Sequence, residues 1–227
     1  MTPCARAVAF DLDGTLIDST EAIVASFMHT FDVIGEPRPA RQAILDTVGY
    51  ITEEQFTRLT RQDPAACAAI YKAKYEDLML SHTTLHPGVE ESLELLRDAD
   101  VPMGFATSKE RAYSEAILDH LGILHYFASR IGPEDVEAPK PHPSAALESA
   151  ARLGAPAARL FFVGDSHFDV RCAQAAGARA IAVSTGYHTW DELAALEPEA
   201  LFGGVPETVS YILEQTGKPE PAAARRA

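Results

Sequence analysis

Cysteine is scarce in this chain. Cys4, Cys67 and Cys172 stand far apart with no C-x-x-C pair, which argues against a disulfide framework and suits a reducing, cytoplasmic setting. Lone cysteines of this kind read as small hydrophobes, buried or half-buried. Positive charge is also short: 19 Lys and Arg stand against 33 Asp and Glu, for a net charge of -14, and the only basic cluster free of acids is Arg225-Arg226. That disfavours nucleic acid and anionic membrane as partners. No apolar run approaches the ~20 residues that span a bilayer, and no charged segment leads into an apolar one at the N-terminus. Eight histidines are present, but they are scattered and form no zinc-ligand set. No internal repeat is visible.

What the chain does have is length and apolar content for a large core: 227 residues, 47% of them hydrophobic. Short apolar runs at 7–12, 101–106, 126–131, 160–163, 180–183 and 200–202 read as strands, separated by amphipathic stretches of helical period. That alternation predicts an α/β fold, a Rossmann-like parallel sheet with helices on both faces. One interval breaks the rhythm. Residues 19–82 hold only helical patterns: Ser19 or Thr20 as an N-cap, short helices over 40–47 and 52–61, and Asp63 capping with Pro64 at the first helical position. The expectation is a core of residues 1–17 and 84–216, an inserted all-helical cap over 18–83, and a flexible C-terminal tail over 217–227.

The chain is organised around Val8 to Ser19. A buried strand delivers Asp11 and Asp13 to one side of its end, because strand side chains alternate, and Gly14 follows at once. Two neighbouring carboxylates repel unless a cation or a shared proton intervenes. Gly14 permits a sharp turn, so the amides around Asp13 to Thr15 are expected to face an anion. Ligands of parallel sheets bind at the strands' carboxyl ends, and the other strand ends carry Thr107 and Ser108, then Asp165. Lys140 sits in a proline-rich turn of the same sheet, and Asp169 follows Asp165 by four residues.

This set resembles the haloacid dehalogenase-like superfamily of phosphohydrolases. Asp11-Leu12-Asp13-Gly14-Thr15 matches its first motif, Thr107 its second, Lys140 in Lys-Pro-His-Pro its third, and Gly164-Asp165-Ser166-x-x-Asp169 its fourth. The helical insertion looks like that superfamily's cap. Pro87-Gly88-Val89 and Gly186-Tyr187 point to the phosphoglycolate phosphatase-like subgroup. Asp13 favours phosphoryl transfer, since dehalogenases of the superfamily lack that second aspartate.

The resemblance implies a small phosphorylated metabolite as substrate, magnesium as cofactor, and a monomer or homodimer. Asp11 would be the nucleophile and Asp13 the acid and base. Gly14, Thr15, Thr107, Ser108 and Lys140 would bind the phosphate. Magnesium would be held by Asp11, Asp165 and the Asp13 carbonyl, with Asp169 supporting it and orienting Lys140. Lys109 is expected to start a helix in solvent. Gly49, Tyr50, Arg58 and Arg61 are the cap candidates for reading the leaving group, and His167 for lining the cleft. Three other readings stand beside this one: a sugar phosphomutase of the same superfamily, a phosphorylation-switch receiver module, and a phosphonate-cleaving relative, which would need Lys72 or Lys74 to reach the substrate.

Overall fold

The structure, a computed structural model, describes residues 6–216. Cys4, Arg225-Arg226 and the tail expected at 217–227 lie outside the described residues. The strands in chain order are β1 (Ala7–Phe10), β2 (Ile17–Asp18), β3 (Thr84–Leu85), β4 (Met103–Ala106), β5 (Phe127–Ile131), β6 (Leu160–Gly164), β7 (Arg179–Val183) and β8 (Ala200–Phe202). Six of them form one parallel sheet in the order β5-β4-β1-β6-β7-β8. β1, β4 and β6 are buried throughout, as sheets covered on both faces require, and for that reason they read as apolar runs.

The helices supply the cover. α1 (Thr20–Ile34), α2 (Arg41–Leu45), α3 (Thr52–Leu59) and α4 (Pro64–Leu78) come first, followed by α5 (Val89–Asp98), α6 (Arg111–His120), α7 (Ser144–Arg152), α8 (His167–Ala175), α9 (Trp190–Ala194) and α10 (Val205–Thr216). Leu93 and Leu96 of α5, Ile117 of α6 and Ile212 of α10 share one core with Val8, Phe10 and Phe105. Ala146 of α7 and Val170 and Cys172 of α8 share the opposite core with Ala9 and Phe162. Cys67 and Cys172 are free and buried, as their spacing suggested.

Helices α1 to α4 all lie between β2 and β3, and these two strands pair antiparallel (Ile17 with Leu85, Asp18 with Thr84). The insertion therefore leaves and rejoins the chain through one two-stranded ribbon. It has its own aromatic centre: the Phe27 ring lies 4.8 Å from Phe56 and 4.8 Å from Tyr71. α4 begins as its sequence predicts, with Pro64 in the first turn and the Asp63 side chain accepting from the Ala65 amide at 3.1 Å. Among the described residues, no helix is long and apolar enough to cross a membrane.

Two local expectations fail. β1 ends at Phe10 rather than residue 12, because the Leu12 carbonyl takes the amides of Thr15, Leu16 and Ile17 at 2.9–3.0 Å and winds the chain into a tight loop. Ser19 does not cap α1 with its side chain. Its hydroxyl donates instead to Asp13, and Asp18 accepts the Thr20 amide at 3.0 Å.

Candidate active site

The carboxyl ends of β1, β4 and β6 bring Asp11, Thr107 and Asp165 together, and the 137–143 turn and α8 add Lys140 and Asp169. Lys140 is 6% exposed. Its ammonium donates to Asp169 Oδ1 at 2.7 Å and to the Ala106 carbonyl at 3.2 Å. It also lies 2.9 Å from Asp11 Oδ1 as an ion pair, and that buried oxygen has no hydrogen-bond partner among the described residues. Thr15 donates to Asp165 Oδ1 at 3.0 Å. Ser166 stands at the N-cap of α8, and its amide and hydroxyl both donate to Asp169.

Glycine makes room at this point. Gly14 holds φ +82, and a Cβ there would lie 2.6 Å from an Asp165 oxygen. At Gly186 a Cβ would fall inside that same carboxylate. Both positions admit the backbone only because no side chain is present.

Asp11, Asp165 and Asp169 each offer a carboxylate oxygen, all within 4.8 Å of one another. Burial, reinforced by Asp169, pushes the Asp11 carboxyl up to about 7 despite Lys140. Burial and the neighbouring Asp169 and Asp11 charges raise Asp165 well above the usual carboxylate range. Three buried acids against one ammonium, all hard oxygen donors, with one oxygen lacking a hydrogen-bond partner among the described residues, fit a hard divalent cation such as magnesium.

Asp13 has its own partners. Ser19 donates to Oδ1, and the Lys109 ammonium sits 2.6 Å from the same oxygen. Lys109 also donates to the Tyr75 hydroxyl of α4 at 2.6 Å. The solvent-exposed helix start expected of Lys109 is therefore wrong. Its side chain is 10% exposed, and α6 begins two residues later, at Arg111. Its long stem lets it reach across to a carboxylate and to the helical insertion at once.

A second correction concerns the anion cradle. The Gly14 amide donates to the Ile17 carbonyl at 2.9 Å, and the Thr15 amide to Leu12 at 3.0 Å. Neither is free for phosphate, and the Thr15 hydroxyl is spent on Asp165. No carbonyl takes the amides of Leu12 or Asp13 among the described residues, so any backbone cradle lies one step earlier. Ser108 Oγ is buried without a partner and lines the cavity above Asp11.

That cavity is roofed by the helical insertion. Tyr50, Gln55, Tyr71, Lys72 and Tyr75 line it from one side, with Asp11, Asp13, Lys109 and His188 facing them. Of the expected readers, Gly49 and Tyr50 reach it, and they also dock the insertion on α8, where Phe168 lies 4.6 Å from the Tyr50 ring. Arg58 and Arg61 do not line it. Arg58 stacks over the Tyr50 ring at 3.7 Å and pairs with Glu54. His188 lines the cavity in place of His167, which sits behind it at 3.1 Å.

Lys72 does line the cavity, but Glu110 holds it at 2.6 Å and raises its pKa. A nucleophilic amine needs the opposite shift, so the geometry speaks against phosphonate cleavage.

A parallel sheet with paired acids, a buried lysine and a roofed cavity at its carboxyl edge defines an α/β enzyme. The comparisons with known proteins narrow this. Residues 8–183 match the model of the family described as "Haloacid dehalogenase-like hydrolase". A protein of Dickeya dadantii named "Probable phosphatase IndB" is 37% identical over 209 residues, covering 89% of this chain and 91% of that one. The phosphoglycolate phosphatase of Photorhabdus laumondii is 30% identical, covering 91% and 92%. A haloacid dehalogenase-like family hydrolase from Streptococcus pneumoniae superimposes with a TM-score of 0.82 at 26% identity, over 93% of this chain and 99% of that one.

The chain belongs to the haloacid dehalogenase-like hydrolase family. Its family and its phosphatase relatives make it a hydrolase acting on phosphoric monoesters. Family membership also removes the receiver-module reading.

Proposed function

We propose that this hydrolase is a magnesium-dependent phosphatase that cleaves a small phosphate monoester, phosphoglycolate-like or a sugar phosphate, through an aspartyl-phosphate on Asp11. The observation that carries the reading is the Asp11 carboxylate held beside buried Lys140 at the mouth of a roofed cavity. Asp11 attacks phosphorus and splits one hard displacement into two. Asp13, held by Ser19 and Lys109, gives its proton to the departing alkoxide and then accepts one from the water that cleaves the acyl phosphate. Lys140, Thr107 and Ser108 face the phosphoryl oxygens, whose charge must be balanced as the bonds change. Asp169 fixes Lys140 by the 2.7 Å bond. Asp11, Asp165 and the Asp13 carbonyl would hold magnesium, with Asp169 in support, and the ion would neutralise phosphoryl charge beside the nucleophile.

Helices α1 to α4 act as the cap on this reading, and the β2–β3 ribbon as its hinge. Closure would exclude water and bring Tyr75 onto Lys109. The test is a panel of phosphoglycolate, sugar phosphates, nucleoside monophosphates and an aryl phosphate, assayed for released phosphate with magnesium and with excess chelator. Activity that survives the chelator refutes the metal. A product that keeps its phosphate on an isomerised sugar identifies a phosphomutase instead.

Asp165→Ala is expected to weaken magnesium binding by at least roughly 100-fold, since losing even a group that only supports a ligand costs about 10- to 100-fold. Titration calorimetry on the folded variant reads this directly, and an unchanged affinity removes Asp165 from the ligand set.

A further inference from the structure

Among the described residues, the lysines that line the cavity are both paired with carboxylates. The ammonium groups that line it, among those residues, are Lys72 and Lys109, and the one other basic side chain, His188, shares its Nε2 with His167 Nδ1 at 3.1 Å. Lys109 lies 2.6 Å from Asp13 and donates to Tyr75. Lys72 lies 2.6 Å from Glu110 and 3.3 Å from Glu53. Arg58 of the insertion does not line it and is engaged by the Tyr50 ring and Glu54.

What the cavity does present is neutral. Tyr71 is 7% exposed, lines the cavity, and has no hydrogen-bond partner for its hydroxyl among the described residues. Gln55 is nearly as buried, and its amide nitrogen is held on the Thr47 carbonyl at 2.9 Å. That bond leaves the Gln55 carbonyl oxygen as an acceptor at the cavity wall. Tyrosine rings complete the lining.

Resting on the phosphatase reading, we infer that the leaving group taken by this cavity is an uncharged, hydroxyl-bearing alcohol of the sugar type, in preference to the carboxylate-bearing alcohol of phosphoglycolate. A substrate carboxylate would need a counter-charge. A charge taken out of water into a walled cavity without a partner is strongly disfavoured. Taking Lys72 from Glu110 and Glu53 exchanges one carboxylate partner for another and leaves an acid beside the substrate. Taking Lys109 removes the partner that, with Ser19, positions the Asp13 carboxyl. A neutral alcohol disturbs neither pair. Its hydroxyls meet Tyr71 and Gln55, and its carbon faces lie on the tyrosine rings, the mix of apolar wall and few polar groups that small-molecule sites use.

The experiment compares kcat/KM for glucose 6-phosphate, ribose 5-phosphate, phosphoglycolate and 4-nitrophenyl phosphate, with magnesium, in the native protein and in the double variant Glu53→Gln/Glu110→Gln. Circular dichroism and a thermal melt establish that the variant is folded. The native protein is expected to favour at least one sugar phosphate over phosphoglycolate by roughly tenfold or more, about 1.4 kcal/mol. The double variant, with the Lys72 charge released, is expected to raise the phosphoglycolate-to-sugar ratio by roughly tenfold.

A native enzyme that takes phosphoglycolate as well as or better than both sugar phosphates overturns the inference and leaves the phosphatase reading standing. A sugar preference that the double variant does not shift also overturns it, because the pairing of Lys72 is then not the reason. Failure to hydrolyse any of the four esters, aryl phosphate included, sinks the phosphatase reading and this inference with it.

Discussion

Asp11→Asn is expected to reduce phosphate release by about 10⁴-fold or more, the scale on which removing a catalytic nucleophile acts, while the protein stays folded. An amide oxygen is a poor nucleophile and forms no acyl phosphate. The same substitution is expected to leave the metal-free protein at least as stable as the native one. Asp11 is one of three acids within 4.8 Å of one another, and burial already pushes its carboxyl up to about 7. Asparagine keeps the shape and removes one of three like charges gathered around a single ammonium. A thermal melt in chelator and a phosphate-release assay on protein verified by mass spectrometry as not deamidated give both numbers. Activity within tenfold of native would remove Asp11 as nucleophile. A melting temperature several degrees lower would show that the carboxylate holds Lys140 more than it repels Asp165.

Much of this site was legible because motif spacing and strand ends coincide. Asp11, Thr107 and Asp165 follow apolar runs, and a parallel sheet turns three such ends toward one edge. Lys140 and Asp169 carried no strand signal of their own; a turn of the same sheet and the spacing from Asp165 placed them, and the resemblance supplied their roles. What the sequence concealed has specific physical causes. Tyr75 recurs at helical spacing and reads as core, which it is; its hydroxyl, the part that meets Lys109, is invisible to a hydrophobic pattern. Lys109 stands beside the second motif, but its partners lie 96 and 34 residues away in sequence. Ser19 had two possible uses, a helix cap and a carboxylate partner, and the tight loop at Leu12 decided for Asp13. The same loop consumed the Gly14 and Thr15 amides, which no residue count could foresee. Arg58 looked like a substrate reader because it is basic and in the insertion, yet a cation over the Tyr50 ring with Glu54 close by is satisfied where it stands.

Lys140→Met is expected to lower both activity and stability. In the native protein the Lys140 side chain is almost wholly buried, bonded to Asp169 and the Ala106 carbonyl and 2.9 Å from Asp11. The two aspartates hold its ammonium in the charged form, so its pKa is raised in spite of burial. Removing one partner of a buried ion pair costs about 3–5 kcal/mol, because the charges left behind have no compensation. Here part of that cost is relieved by proton uptake, since Asp11 and Asp165 already titrate above the usual range, and the low end, about 3 kcal/mol, is the expectation. For a chain of this length that corresponds to a melting temperature roughly 10 °C lower.

The sign of the pH dependence follows from which groups ionise. At pH 5 Asp11, already pushed up to about 7 with Lys140 present, is largely protonated, and the variant loses less. As pH rises toward 8 the unfolded chain holds the carboxylates left without Lys140 ionised in water, whereas the folded variant must either keep their protons or ionise them without the ammonium, so the gap to the native protein widens. Phosphate release is expected to fall about 10³-fold at saturating magnesium, because a phosphate dianion then meets Asp11 without the ammonium that balances it. Urea melts of both proteins at pH 5 and pH 8 in chelator, with initial rates at pH 8 in magnesium, measure the three quantities. A stability gap that is equal at the two pH values would assign the loss to packing of the lysine stem. Activity within tenfold of native would mean that Lys140 orders the acids without touching the phosphoryl group, and its place among the phosphate-binding residues would have to be given up.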